Sequence, residues 1–107
     1  MPRFWTTEQA NRALPEITAL VESVQAGVAR SSSRSDPRLL VHGAARLLAV
    51  DGVVLRDPDR GLVDFPARSP SGRRYWLCWV VGEPAVTWWH WPEDGFAGRT
   101  PLSEPPG

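Results

Sequence analysis

The chain has 107 residues and a formal net charge of zero, with twelve basic side chains, all of them arginine, and twelve acidic ones. A chain of this length suits one domain, because it can bury roughly 60 to 70% of its unfolded surface around a single core. The neutral charge excludes a global basic field that would attract nucleic acid or anionic lipid.

Three features of the sequence bear on its compartment. Cys78 is the only cysteine, so no disulfide can form within the chain. Residues 1–5 hold no apolar signal core. No apolar run approaches the roughly 20 residues that a membrane-spanning helix needs. We therefore expect a cytosolic protein without a membrane partner.

The first predicted element is a helix that begins near Thr7. Thr6 and Gln9 have the spacing of a capping box. Because proline is unfavourable inside a helix, Pro15 favours a short helix ending near Leu14 and a second one starting there, with a single kinked helix as the alternative. A narrow apolar stripe recurs every three or four residues, formed by Leu14, Ile17, Val21, Val24 and Val28.

A second long helix is predicted after the polar linker at residues 31–35. Asp36 and Pro37 supply an N-cap followed by proline at the first helical position, and Gly52 can end the helix. Its apolar face would consist of Leu40, Ala44, Leu47 and Leu48. Because each stripe needs a partner, the two most simply pack as an antiparallel helical hairpin over about residues 7–51.

After Gly52 the apolar period changes to that of β-strands. We predict strands at residues 53–55, 62–65, 75–81 and 85–91, with turns at 57–61 and 82–84 and a polar loop at 66–74. The fold class is therefore α+β, with the N-terminal helical hairpin packed on an antiparallel β-meander of about four strands. We assign residues 1–107 to this single domain, with the meander and a C-terminal loop at about 53–102 and a disordered tail at 103–107.

The last predicted hairpin has two largely apolar faces. A three-residue turn pairs Cys78 with Trp88, Trp76 with His90, Leu77 with Trp89 and Trp79 with Thr87, and a shift of one residue would re-sort these pairs. One face then holds Tyr75, Leu77, Trp79, Trp89 and Trp91, and the other Trp76, Cys78, Val80, Val86 and Trp88. The helices can cover only one face, so we expect loops, a ligand or a second subunit on the other, with a homodimer as the simplest solution.

Several short segments resemble a known family. They lie at residues 4–6, 8–11, 14–15, 57–58, 61–66, 77–79, 82–83, 89–90 and 95–102. Together they resemble the bacterial family called domain of unknown function 2203, over about residues 3–24 and 52–102. The resemblance implies a helical hairpin with a small sheet and brings no established activity. The family tends to carry a polar or acidic residue directly after the histidine, where this chain has Trp91, and this difference argues against a metal ligand at that position.

His90 is the centre of the candidate chemistry. Glu93 follows three residues later, and an imidazole with a carboxylate is the minimum for a transition-metal site or an acid-base pair. Asp64 and Cys78 would complete such a cluster if their strands adjoin. The candidate catalytic residues are therefore His90, Glu93 and Asp64, and the candidate metal ligands are His90 and Glu93. The structural alternatives are a histidine bonded to a backbone carbonyl or to Glu93, and a cysteine that acts as a small inert side chain.

Arginines beside glycine or aromatic residues indicate two further kinds of site. Arg99 ends the loop at residues 95–99 and could hold an anionic ligand, or it could pair with Asp64 in a structural salt bridge. A second arginine group lies in the predicted loop at 66–74, next to aromatic residues on which single-stranded nucleic acid could stack. It consists of Arg68, Arg73 and Arg74. The neutral net charge argues against nucleic acid as the partner.

These patterns favour a dimeric binding or interaction module with an aromatic sheet surface. Its ligand-binding residues would be Trp76, Trp79, Trp88, Trp89 and Arg99. The alternative is a small metal-assisted or acid-base enzyme with a site at His90, Glu93, Asp64 and Arg99. A transition metal is the cofactor that the metal-assisted version would require, and a small-molecule or anionic ligand is its expected partner. Binding of single-stranded nucleic acid is the third hypothesis.

Overall fold

In the computed structural model, residues 4–30 and 51–107 are described. They form one helix, α1 (Thr7–Arg30), a 3-10 turn (Phe96–Gly98) and five strands, β1 (Val54–Asp57), β2 (Leu62–Arg68), β3 (Arg74–Val80), β4 (Trp88–His90) and β5 (Thr100–Pro101). The strands make one antiparallel sheet in chain order. The α+β class is therefore confirmed. Within the described ranges, no helix is long and apolar enough to cross a membrane.

Helix α1 begins as predicted and continues further than predicted. The Thr6 N–H donates to Gln9 Oε1 and the Gln9 N–H to Thr6 Oγ1, both at 3.1 Å, which confirms the capping box. Pro15 lies inside α1, so the prediction of two helices divided at this point is wrong and one continuous helix is correct. The proline is exposed, and buried residues on both sides of it hold the helix against the sheet, namely Ala10, Ile17, Val21 and Val24.

The described residues contain one helix and a sheet of five strands. The second helix, predicted after residue 36, lies outside the described residues, so the helical hairpin is not part of the described structure. The sheet has five strands rather than four, because Thr100 and Pro101 pair with Trp89 and Trp88. A two-residue strand that ends in proline has no apolar period, which is why the sequence pattern did not indicate it.

The register of the last hairpin agrees with three of the four predicted pairs. The confirmed pairs are Cys78 with Trp88, Trp76 with His90, and Leu77 with Trp89. The pair of Trp79 with Thr87 is absent from the ladder, because β4 begins only at Trp88. Val86 was predicted on the face of Cys78, but it belongs to the core beneath α1, and its N–H donates to Asn11 Oδ1 at 2.7 Å.

Strand β2 continues through Pro66, in a region predicted to be a loop. Pro66 has no N–H to donate, but it lies beyond the β1 ladder, which reaches only to Asp64. The Pro66 carbonyl accepts the N–H of Trp5 at 2.7 Å. The segment before α1 therefore lies beside Pro66. A longer β1 in that place would need an N–H donor that proline lacks.

The sheet has an inner face, which shares one hydrophobic core with α1, and an outer face, which points away from it. Buried inner-face side chains are Val63, Phe65, Ala67, Leu77, Trp79 and Trp89. Trp5, just before the helix, meets Phe65 edge-to-face with ring centroids 5.3 Å apart. Burial of each large side chain in this core stabilises the fold by about 1.5–3 kcal/mol, which fixes the sheet that carries the outer face.

The tail at residues 103–107, expected to be disordered, packs against the sheet. Trp89 Nε1 donates to the Glu104 carbonyl at 2.9 Å, and Ser71 Oγ donates to the Gly107 carbonyl at 2.8 Å. Pro106 is buried. A buried indole N–H needs an acceptor, and the tail supplies one, so the core itself draws this segment onto the sheet.

Candidate functional site

Three ionisable side chains meet on the outer face of the sheet. Asp64 lies between Val63 and Phe65 in β2, and both of these neighbours enter the core. Because side chains alternate along a strand, the Asp64 side chain points to the opposite, outer face. Cys78 of β3 lies directly opposite Asp64. His90 ends β4, opposite Trp76, and its imidazole reaches across β3 to Asp64. The three side chains are buried, with Asp64 2%, Cys78 0% and His90 4% exposed.

The orientation of the His90 ring is set by both of its nitrogens. Nε2 lies 3.1 Å from Asp64 Oδ1 and 3.1 Å from Oδ2, and Nδ1 lies 2.9 Å from the Trp91 carbonyl oxygen. A carbonyl oxygen only accepts, so Nδ1 carries a proton. Nε2 then faces a carboxylate, and a bare lone pair there would be repelled, so a proton or another cation has to lie between them.

Burial and hydrogen bonding act on His90 in opposite directions. Burial lowers its pKa, but the hydrogen bonds to Asp64 and to the Trp91 carbonyl outweigh that effect, so the pKa of His90 is raised above the usual 6.5. These hydrogen bonds therefore favour the protonated form of His90 beside Asp64.

Cys78 is the third member of this group. One ligand atom from each of Asp64, Cys78 and His90 can be chosen so that all three lie within 4.8 Å of one another. Burial is the main reason that the pKa of Cys78 is raised to about 12, and the charge of Asp64 and a hydrogen bond to it act in the same direction. The free thiol is therefore protonated at neutral pH and is available as a ligand only to an ion that displaces its proton.

Arg56 lies beside the cluster, in a position that the sequence did not single out. Its Nε donates to Asp64 Oδ2 at 3.0 Å, and its guanidinium lies 4.7 Å from the ring centre of Trp76. Arg74 lies 4.9 Å from the same ring. Alternation along β1 was the available signal, because Leu55 enters the core and Arg56 follows it, but an irregularity in the ladder between Leu55 and Asp57 obscures the pairing.

A cavity of about 300 Å³ opens onto the cluster. Asp64, His90 and Arg56 supply its polar groups, and the remaining lining residues are Leu62, Pro92, Gly95 and Phe96. The segment after β4 thus covers part of the outer face without filling it. The cavity is at the small end of the range for sites that bind small molecules.

The other residues predicted for the site lie elsewhere. Glu93 is exposed and forms an ion pair with Arg73 rather than with His90. Arg99 binds Glu83, with Nη2 3.0 Å from Oε1, rather than Asp64. Glu93 follows His90 closely in the sequence but pairs with Arg73 in space, because the chain turns after β4.

The four tryptophans predicted to bind a ligand are divided between the two faces. Trp79 and Trp89 are buried in the core under α1, where their indole N–H groups donate to the carbonyls of Glu83 and Glu104. Trp88, on the outer face, has the Arg99 guanidinium 4.6 Å from its ring centre. Trp76 is 8% exposed. The continuous aromatic surface expected from the sequence is therefore not what the described residues present.

The chain belongs to a family of uncharacterized conserved proteins, DUF2203, whose sequence model matches residues 38–102. The resemblance to this family is confirmed over residues 52–102, while the segments within residues 3–24 lie outside the match. The match spans all five strands and the cluster of Asp64, Cys78 and His90. No curated protein and no solved structure matches the chain. The family description names no activity.

Proposed function

We propose that this chain binds one divalent transition-metal ion through Asp64, Cys78 and His90. The observation that carries the proposal is the compactness of this cluster, in which a carboxylate, a thiol and an imidazole offer ligand atoms within 4.8 Å of one another. Ligands that share a tetrahedral zinc ion lie about 3.3–3.6 Å apart, given metal–ligand bonds of about 2.0–2.3 Å. The separation of 3.1 Å between His90 Nε2 and either Asp64 oxygen is already close to that value.

The surroundings of His90 support the same reading. Histidine ligands commonly donate their other ring N–H to a carbonyl or a carboxylate, which fixes the tautomer and turns the free nitrogen toward the metal. The Trp91 carbonyl does this at Nδ1. A metal ion would then take the place of the proton that otherwise lies between Nε2 and Asp64.

The types of ligand select the class of ion. Thiolate and imidazole favour zinc and neighbouring transition metals, whereas magnesium and calcium favour oxygen ligands. Because the pKa of Cys78 is about 12 without metal, only an ion that binds thiolate strongly can displace its proton. Zinc meets this requirement.

The number of ligands indicates what the ion can do. Three protein ligands leave one tetrahedral position open, which is typical of catalytic rather than structural zinc sites. The cavity lined by Asp64 and His90 provides space for that fourth ligand. A zinc ion here would act as a Lewis acid on a bound water or carbonyl group, so we favour the metal-assisted enzyme over the interaction module.

The test is metal binding by variants of single ligands. Protein purified without chelator is analysed for metal content, then stripped and titrated with Co²⁺, whose thiolate charge-transfer absorption reports coordination by Cys78. Asp64→Asn, Cys78→Ser and His90→Gln should each weaken Co²⁺ binding by more than about 100-fold, because even outer-shell changes cost 10- to 100-fold.

Glu93→Gln is the matched control. It removes the carboxylate that stands nearest to His90 in the predicted motif but pairs with Arg73 in space. This variant should bind Co²⁺ as the parent does, and near-ultraviolet circular dichroism should show all four variants folded. Absence of a thiolate absorption in the parent, or its loss in Glu93→Gln alone, would refute the proposed ligands.

A homodimer remains a separate prediction from the sequence. Trp88, on the outer face that α1 does not cover, is only partly buried among the described residues, so it is an aromatic side chain that a second subunit would cover. Sedimentation equilibrium of the parent and of Trp88→Ser tests the prediction, and a monomer at all concentrations would contradict it.

A further inference from the structure

We propose that the cavity beside the metal position binds a small carboxylate, held by Arg56 and by the metal ion. This proposal rests on the proposed metal site and names the class of ligand that it takes. Its basis is the lining of the cavity, which combines one arginine, the two oxygen and nitrogen ligands of the proposed metal, and a wall of apolar side chains.

Arg56 is prepared for a carboxylate. Its Nε donates to Asp64, and its guanidinium carbon lies 4.7 Å from the ring centre of Trp76, so two contacts orient the side chain. Its two terminal amino groups make no hydrogen bond to any residue in the described ranges. The side chain is 43% exposed and lines the cavity. An oriented guanidinium with a free pair of donors is the group that binds carboxylates in a bidentate manner.

Charge balance favours a ligand with a single negative charge. A bound divalent ion and Arg56 supply three positive charges, and Asp64 and the metal-bound Cys78 thiolate supply two negative ones. One positive charge remains, which a carboxylate neutralises and a phosphate dianion would exceed. This balance applies to the metal-loaded site. Because the metal ion is one of the two groups that would hold the carboxylate, we expect binding of the carboxylate to require the metal.

The apolar wall sets the rest of the ligand. Leu62, Pro92 and Phe96 line the cavity, and its volume of about 300 Å³ admits a carboxylate that carries a small apolar or aromatic body. Benzoate is a suitable probe, because its ring can pack against these side chains. Benzamide has the same shape without the charge, and inorganic phosphate has the charge without the apolar body.

The experiment is titration of the Co²⁺-loaded protein with each probe, followed through the visible absorption of cobalt. Benzoate should change the spectrum and saturate, whereas benzamide should not bind and phosphate should bind more weakly. Arg56→Gln should raise the Kd for benzoate about tenfold or more, because it removes charge-assisted hydrogen bonds. Arg56→Lys keeps the charge but loses the planar pair of donors, so its Kd for benzoate should lie between that of the parent and that of Arg56→Gln.

Arg74→Gln is the matched control, because Arg74 lies near the same Trp76 ring but does not line the cavity. Its Kd for benzoate should stay within about twofold of the parent value. Titration of each variant with Co²⁺ alone separates an effect on the metal from an effect on the ligand. The proposal fails if benzoate leaves the cobalt spectrum unchanged, if benzamide or phosphate binds as well as benzoate, or if Arg56→Gln binds benzoate as the parent does.

The two proposals can fail separately. If Co²⁺ produces no thiolate absorption in the parent, the metal site is refuted and the carboxylate site with it. If Co²⁺ binds with the expected absorption and benzoate has no effect, only the carboxylate site is refuted.

Discussion

At the scale of single residues, His90 and Asp64 define one position between them, which a proton can occupy and which the proposed metal ion would take. The imidazole has a fixed tautomer because Nδ1 is committed to the Trp91 carbonyl, so the change of occupant takes place at Nε2 alone. Arg56 donates to one oxygen of the same carboxylate. We therefore expect the pair to keep its geometry when the proposed ion replaces the proton.

The raised pKa of His90 predicts how the stability of the metal-free protein depends on pH. The folded state binds this proton more tightly than the unfolded state, whose histidine titrates near 6.5. The stabilisation is fully present below pH 6.5 and is lost as the pH rises through the higher folded pKa. Urea denaturation in the presence of chelator, between about pH 5.5 and 8.5, should show this decline.

The control for this prediction is Asp64→Asn. It removes the charge that favours the imidazolium, so the decline in unfolding free energy should become smaller. A parent protein whose unfolding free energy rises over the same interval would contradict the assignment.

Cys78 should be unreactive in the folded protein, because its side chain is 0% exposed and its thiol pKa is about 12. Metal-free native protein treated with a thiol-specific disulfide reagent at pH 7.5 should react much more slowly than a free cysteine. The same protein in denaturing urea should react promptly, with one thiol per chain. Prompt reaction without urea would mean that the outer face opens readily, and the buried cluster would then not hold an ion tightly.

At the scale of secondary-structure elements, α1 is one continuous helix that contains an exposed proline, Pro15. Pro15 cannot donate to the carbonyl four residues earlier, and its ring contributes no buried contact. Asn11, at that earlier position, instead uses its side chain to accept the Val86 N–H, which ties the helix to the segment before β4. The helix is thus retained by its contacts with the sheet rather than by its own sequence.

Replacement of Pro15 by alanine should stabilise the protein. An interior proline costs about 3 kcal/mol relative to alanine, and the greater freedom of the unfolded alanine chain returns part of that, so a gain of about 1–2 kcal/mol is expected. Thermal unfolding measures it, with Glu16→Ala, an exposed change one residue along, as the control. An unchanged or lower Tm for Pro15→Ala would mean that the proline itself is needed for packing.

The turn between β1 and β2 has no room for a side chain at Gly61. Gly61 has a positive φ of 69°, and a Cβ there would lie 2.5 Å from Val81 Cγ2. Gly61→Ala should therefore lower the unfolding free energy by clearly more than the roughly 1–2 kcal/mol expected from backbone strain alone.

Gly72→Ala supplies that strain-only reference. Gly72 has a φ of 87°, and no atom outside its immediate neighbours lies within 4 Å of the position that an alanine Cβ would take. Urea denaturation compares the two variants. Equal losses of stability would show that the β1–β2 turn accommodates the added Cβ at no cost beyond backbone strain.

At the scale of the whole molecule, the local features of the fold were predictable and the long-range ones were not. The capping box at Thr6 and the register of Cys78 opposite Trp88 follow from residue spacing and turn length, and both were predicted correctly. The continuity of α1 through Pro15 depends on contacts with the sheet, and no pattern within the helix indicates them. Strand β5 is too short to show a period.

The candidate site was predictable only in part, for the same reason. His90 and Asp64 were each predicted as candidates. In the sequence Glu93 lies close to His90, three residues on, but in the sheet the imidazole contacts Asp64, which lies two strands away in β2. Arg56 was missed because its role depends on the β1–β2 pairing. Contacts between neighbours along the chain can be derived from spacing, but contacts across strands require the strand order.

Metal binding should change the stability of the whole domain. An ion that binds only the folded state adds RT ln(1 + [L]/Kd) to the free energy of unfolding, or about 2.7 kcal/mol at one hundred times the Kd. The Tm of metal-free protein should therefore rise with free zinc concentration in a zinc buffer. Cys78→Ser should show little of this rise, and an equal rise in that variant would place the zinc elsewhere.

The link from His90 across β3 to Asp64 also bears on how faithfully the chain folds. Slipping one strand by a single residue would turn Asp64 or Cys78 toward the helix, where a carboxylate would have no partner and would cost several kcal/mol. Slipping it by two would keep the faces but separate the imidazole from the carboxylate. The polar cluster therefore destabilises both kinds of misaligned sheet. A chain that folds with the correct strand register also brings Asp64, Cys78 and His90 together.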